Sequence, residues 1–412
     1  MTVPSVTPAL NESIRSRRSR VLNLGFGQVG LPVLPEIEHA LTGSAHRNDY
    51  GPVSGGGAVR DAAAWYLTSR GLETAASQVV LGPGSKALLF AVLAALPGDV
   101  VLPRPSWVSY AAQAGLTGKR VLWVDVPGNT GGVPDPGNLE RGLAAAHQAG
   151  IFPRILVLTL PDNPTGSLAP SSLIKHVCEI AREHDLVIVS DEIYRDLSYE
   201  DLVYSPALEL PEQTVVTGGL SKAAALGGYR IGYARLPDGP LRTKVLGIAS
   251  EVWSSVPGPM EAVAEYVFAD HAEVRDYVDA ARRLHHAVVD AVHAGLVAAG
   301  ASCRTPQGGF FLYPDFEPVR PVLAAQGIET GARLADVLLE RYGIGVLAGA
   351  AFGDDPRALR FRAATGLLYG SSAEQQWSAL YGDDPLNLPW IADSLAHIRE
   401  SLQDLVHPEG VA

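Results

Sequence analysis

Lys222 is the one lysine in TGGLSKAAALGGYRIGY, residues 217–233, a run of glycines and small apolar residues that also holds Arg230. Such an amine is either a reactive group in a pocket or a surface charge on a turn. Desolvation or a nearby cation makes a lysine neutral and nucleophilic near neutral pH. Other polar residues stand in comparable places. Ser85 follows the apolar run SQVVLGPG, Asn163 lies in DNPTG after RILVLTLP, and Asp191 and Tyr194 close LVIVSDEIY. Ligands of open α/β sheets bind beyond the carboxyl ends of the strands, so these residues form a constellation in chain order. Singly, each has an ordinary explanation. Asn163 is a turn former, Asp191 a buried acid or helix cap, Ser85 an N-cap, and Arg230 a partner for any surface carboxylate.

Rival chemistries lack their motifs. GPGSK does not have the Walker A spacing. No G-x-S-x-G elbow surrounds Ser85, Ser106 or Ser221. The eleven histidines show no HExxH or comparable zinc spacing, so no metal is expected.

The elements that must position these residues alternate between apolar strand-like runs and longer helical patterns over about residues 50–290. GDVVLPR, RILVLTL, LVIVS and QTVVTGG read as strands buried on both faces. KALLFAVLAAL and SLIKHVCEIAREHD read as helices. This alternation predicts a mainly parallel α/β sheet. Residues 271–300 read as one long helix leading to a second domain. There GGFFLYPDF and ALRFRAATG look like strands and IADSLAHIRESLQDLV like a terminal helix. No internal repeat stands out.

The chain has 412 residues, enough for two domains. It is 47% hydrophobic and 18% charged, which suits a large-cored globule. Acidic residues outnumber basic ones 44 to 32, a net charge of -12 that argues against nucleic acid as partner. No signal-peptide core opens the chain, and no run approaches the roughly 18 apolar residues of a membrane helix. Cys178 and Cys303 are read as free thiols, giving a cytoplasmic expectation. The basic RSRRSR at residues 15–20 reads as a solvated arm.

Together these residues resemble the fold type I pyridoxal-phosphate enzymes, in particular the class I/II, aspartate aminotransferase-like family. YGPVSGGGAVR (50–60), PSWVSY (105–110), NPTG, DEIY, SK…YR, GGFFLYPDF and LRFRAAT follow in the family's order. The match covers about residues 25–365. It implies a large cofactor domain, residues 46–295, with a mixed, mostly parallel seven-stranded sheet between helices. A smaller α/β domain would be built from residues 296–412 together with part of an N-terminal arm, 1–45.

The resemblance also implies roles. Lys222 would carry pyridoxal 5'-phosphate as a Schiff base and shuttle protons, and Asp191 would pair with the pyridine nitrogen. Tyr194 and Asn163 would bond the phenolic oxygen, and Trp107 would stack on the ring. Gly84, Ser85, Lys86, Ser221 and Arg230 would hold the phosphate, with Tyr50 of the neighbouring subunit in a homodimer. Arg360 would clamp the substrate carboxylate, with Gly27, Asn163 and Trp107 beside the substrate. Arg362, two residues on, reads as a supporting or surface ion-pairing residue. Phe310, Phe311 and Tyr313 line either a pocket or the core.

The implied reaction moves the amino group of an α-amino acid to a 2-oxo acid, ping-pong through pyridoxamine phosphate. Elimination or replacement, cyclisation, and oxidation or hydroxylation at the same site are alternatives, and a non-catalytic cofactor sensor is a remote one. Some segments depart from the family pattern. Gly219 replaces a hydroxyl, GFGQVGLP (25–32) differs from the usual Gly-Glu-Pro loop, and Met260 stands where Gln is common. Residues 366–390 form a long connection, read as a lid, a dimer contact or surface decoration.

Overall fold

The computed structural model describes residues 21–128, 130–146, 148–199 and 202–408, together with Glu12 and Ile14. The basic run at 15–20 lies outside the described residues.

Twelve strands occur in chain order among them. They are β1 (Leu22–Asn23), β2 (Val79–Gly82), β3 (Asp99–Arg104), β4 (Val121–Asp125), β5 (Pro153–Thr159), β6 (Val187–Asp191), β7 (Thr214–Gly219), β8 (Gly232–Arg235), β9 (Phe311–Leu312), β10 (Ile344–Gly345), β11 (Leu347–Ala348) and β12 (Phe361–Ala364). Seven build one sheet in the order β2-β8-β7-β6-β5-β3-β4. β8 runs antiparallel to both neighbours, and the other pairs are parallel. This is the mixed, mostly parallel seven-stranded sheet that the family resemblance implies.

The apolar runs explain the layering. Alternate residues of a strand face opposite sides. Ile155 and Val157 join one buried cluster with Leu88, Leu89, Tyr110 and Val245 of the helices on that side. Leu156 and Leu158 join another with Leu139, Leu143, Ile174 and Val177. Both faces are therefore covered, and the strands carry no polar alternation.

The helix Ala272–Ala298 leads to a second group of strands. There β11-β12-β9 form an antiparallel sheet and β1 pairs with β10. The terminal helix Pro389–Val406 packs along the long helix. The helix Pro35–Ser44 packs instead on Gly258–Phe268.

Residues 366–390 contain the helix Ala373–Tyr381, which also lies on the long helix. Trp377 stacks on Tyr381 and meets Tyr277 edge-on, and the Trp390 indole donates to the Tyr369 carbonyl at 2.9 Å. No residue of this segment lines the central cavity described below, so a lid role finds no support in its placement.

One glycine lets the turn after β5 meet the chain ahead of β9 closely. Gly166, in the turn after Asn163, has φ +69°, and its carbonyl accepts from Gln307 and Gly308 just ahead of β9. A Cβ there would run into the Phe311 carbonyl oxygen. Gly71, with φ +83°, has open space around it. Gly71→Ala should therefore cost only the left-handed strain of about 1–2 kcal/mol. Gly166→Ala should cost roughly 2–4 kcal/mol, because backbone must also move. Denaturant midpoints measure both, and equal losses would contradict the packing described.

Candidate active site

A cavity of about 550 Å³ opens at the carboxyl ends of the parallel strands. Lys86, Lys222, Arg230 and Arg362 line it, and Asp191 is the only carboxylate among the described lining residues. Ser85, Trp107, Asn163, Tyr194, Ser221 and Gly27 line it as well. Most of the residues singled out from sequence thus share one site.

Asp191 is the last residue of β6 and is buried. The Tyr110 hydroxyl donates to its Oδ2 at 2.8 Å, and Thr217 Oγ1 donates to Oδ1 at 3.3 Å. Burial pushes the carboxyl up to about 6, against the pull of these bonds and of Lys222. Behind it, Glu192 takes bonds from Ser190, Ser205 and Arg195, which fixes the end of the strand.

Lys222 follows β7, and its Nζ donates to the Gly27 carbonyl at 2.5 Å. Burial first, and then Arg362, pull its ammonium down to about 8, while Asp191 opposes. The buried Tyr194 hydroxyl accepts from Asn163 Nδ2 at 3.4 Å.

At another wall the helix Ser85–Ala95 begins, with Gly84 as its N-cap at φ +85°. A Cβ on Gly84 would strike the Arg230 guanidinium, and one on Gly232 would strike the backbone around Ser85. Glycine therefore lets a cation and free helix amides converge, which is an anion site. Lys86 lies 4.9 Å from the Trp107 ring.

Arg360 is not brought into the cavity. Its Nε donates to Asp315 at 2.8 Å and its Nη1 to Asp354 at 3.0 Å. Two carboxylates thus already neutralise it, and its placement gives the expected substrate clamp no support. Arg362, two residues on, lines the cavity instead. Two residues along a strand is roughly 7 Å, and here that step leads from an acidic rim into the cavity.

Arg362 is 2% exposed and lies between the rings of Phe311 and Phe352, at 4.9 and 5.1 Å. It donates to the Gly25 carbonyl at 2.6 Å and to Asn163 Oδ1 at 3.3 Å. Its Nε finds no partner among the described residues. No carboxylate among the described residues pairs with it, and burial pulls the guanidinium down to about 10. Sequence reasoning also missed Tyr110, although it lies in the PSWVSY segment, and Thr217. Tyr50 is 91% exposed and lines no part of this cavity.

These residues fit pyridoxal phosphate. A glycine-lined cation and helix start suit a phosphate dianion, a buried carboxylate suits a protonated ring nitrogen, and a desolvated lysine suits an aldehyde. A larger cavity, of about 960 Å³ beside Tyr199, His286 and Arg304, holds none of the predicted residues. Among the described residues no His, Cys, Asp and Glu cluster could hold a metal ion, and no helix is long and apolar enough to cross a membrane.

Comparison with known proteins agrees with this chemistry. The family model described as aminotransferase class I and II matches residues 19–367. The aspartate/prephenate aminotransferase of Thermus thermophilus is 31% identical over 366 residues, which are 85% of this chain and 90% of that protein. The aspartate aminotransferase of Geobacillus stearothermophilus is 28% identical over 88% of this chain and 93% of its own. The solved Thermus thermophilus aspartate aminotransferase with maleate superposes at a TM-score of 0.80 and 28% identity, covering 92% and 96% of the two chains.

Asp162, beside Asn163, is buried and accepts from both the amide and the hydroxyl of Thr165. Burial pushes its carboxyl up to about 7. The folded state then binds a proton that the unfolded state releases near pH 4. This contribution to stability is full below pH 4 and is lost as pH rises to 7. Asp162→Asn should therefore gain on the wild type between pH 5 and 7 and hold its gain above. A pH-independent difference in thermal unfolding would exclude the shift.

Proposed function

With the chain a member of the class I and II aminotransferases, we propose that its central cavity divides the work of transamination among the residues described above. The protein is a pyridoxal-phosphate-dependent transaminase acting on amino and oxo acids. Bound pyridoxal phosphate supplies the electron sink that lets a proton leave the donor's Cα.

Lys222 would hold the cofactor at its aldehyde carbon. With the donor bound, its Nζ would take the Cα proton, and in the other half-reaction it would give a proton to the 2-carbon of the acceptor, a task suited to an amine drawn down to about 8. Asp191, steadied by Tyr110 and Thr217, would keep a proton on the ring nitrogen. Tyr194 and Asn163 would bind the phenolic oxygen, and Trp107 would offer a flat face. Gly84, Ser85, Lys86, Ser221 and Arg230 would receive the phosphate.

Arg362 would bind the carboxylate beside the reacting carbon. The observation that carries this reading is a buried guanidinium without a carboxylate partner, in the same cavity as Lys222 and Asp191. Leaving such a charge unpaired is strongly destabilising, and a substrate carboxylate removes the penalty. Donor and acceptor both carry that carboxylate, so one clamp serves each in turn, in ping-pong order. A homodimer, with the exposed Tyr50 reaching the partner's phosphate site, is part of the proposal. So is a cytoplasmic location, which suits the free thiols of Cys178 and Cys303.

Borohydride reduction of the loaded wild type should leave the cofactor's mass on the peptide containing Lys222. Lys222→Ala should show none, and a label on any other lysine would refute the assignment. Arg362→Ala should lower kcat/KM on the order of a hundredfold or more. Arg360→Ala, which breaks a half-exposed ion pair, should change it by less than about fivefold. The reverse ranking would return the clamp to Arg360.

A further inference from the structure

Residues 366–390 take no part in the chemistry above, and nearly all of them lie beyond the stretch that the family model matches. They nevertheless hold the loop whose Gly25 and Gly27 carbonyls accept from Arg362 and Lys222. That loop needs holding. Residues 24–34 form neither helix nor strand, and a backbone with few bonds of its own opens easily. Its first end is secured by the Ala364 amide at the end of β12, which donates to the Leu24 carbonyl at 2.7 Å.

The other end is met twice from residues 366–390. The Gly30 amide donates to the Gly366 carbonyl at 2.6 Å. A Cβ on Gly366 would strike the Gln28 carbonyl oxygen, so the close approach depends on glycine there. Two residues further along the loop, the Pro32 carbonyl accepts from the buried Tyr277 hydroxyl at 2.8 Å. Trp377 meets the Tyr277 ring edge-on, with centroids 6.3 Å apart, and stacks on Tyr381. It thus backs the side chain that holds Pro32.

The segment is itself anchored. Tyr369 is fully buried, and its hydroxyl pairs with His285 of the long helix. Its carbonyl takes the Trp390 indole bond, which ties the start of the segment to its end.

Resting on the reading of Lys222 and Arg362 as the working charges, we infer that residues 366–390 are a brace for the loop 24–32. Gly366 holds it directly and Trp377 holds it through Tyr277, so that the loop's carbonyls keep the Lys222 amine and the Arg362 guanidinium in place. Trp377 and Tyr277 are then positioning residues, acting on the reaction without lining the cavity.

The test compares the loaded wild-type enzyme with three variants, by amide hydrogen exchange and by steady-state kinetics. Tyr277→Phe removes only the hydroxyl, Trp377→Ala removes its support, and Trp377→Phe keeps an aromatic edge. The first two should speed exchange in the peptide containing Gly30 at least about fivefold, while peptides of β5 and β6 keep the wild-type rate. They should also lower kcat/KM on the order of tenfold, because the charges lose their alignment. Trp377→Phe should bring both readouts back to within about twofold of the wild type. Wild-type exchange at Gly30 in the folded variants, or faster exchange spread evenly over the molecule, would overturn the inference. Faster exchange at Gly30 with an unchanged kcat/KM would overturn it too, since the loop would then be held to no catalytic end. A wild type that turns over no amino donor, with exchange at Gly30 responding as described, would uphold the brace and overturn the transaminase reading instead.

Discussion

Four cations crowd one buried carboxylate in the central cavity, and this imbalance governs the site. Like charges at close range disfavour one another's charged forms, and burial adds to the effect. Lys222, the cation able to lose its proton most readily, bears the result. Arginine is effectively always protonated, so the guanidiniums must instead find anions. A phosphate group and a carboxylate are anions that such a site would admit, each restoring balance at its own end. The amine between them would then be the group left free for proton chemistry.

This crowding is tolerable only because the surroundings are rigid. The strands beneath are buried on both faces, and Asp191 is fixed by Tyr110, Thr217 and the buried Glu192–Arg195 pair behind it. Arg362 is wedged between two aromatic rings and shares Asn163 with Tyr194. Arg362 comes from the small sheet and Asn163 from the turn after β5. Their bond therefore joins the small sheet to the turn after β5 within the cavity.

Much of this was legible in the sequence. β3, β5, β6 and β7 are continuous apolar runs whose polar residues sit at their ends, and they carried both the sheet and the order of the site. β4 is a half-buried edge strand and β8 is short and antiparallel, so neither stands out from hydropathy. Arg360 and Arg362 could not be told apart by spacing, because a period of two treats them alike. What separates them is the pair Asp315 and Asp354, one of which is distant in sequence. Tyr110 was hidden differently: its bond to Asp191 crosses 81 residues of chain.

The loop at residues 25–28 contributes to the site through its backbone. The carbonyl of Gly25 steadies Arg362 and that of Gly27 holds Lys222, while the side chains of Phe26 and Gln28 face the cavity. A mutation at either side chain alters what fits without removing the oxygens that hold the working charges. Evolution can therefore exchange one donor for another in this loop and leave the chemistry intact, which makes it the place to look for divergence among paralogues and to begin a directed library.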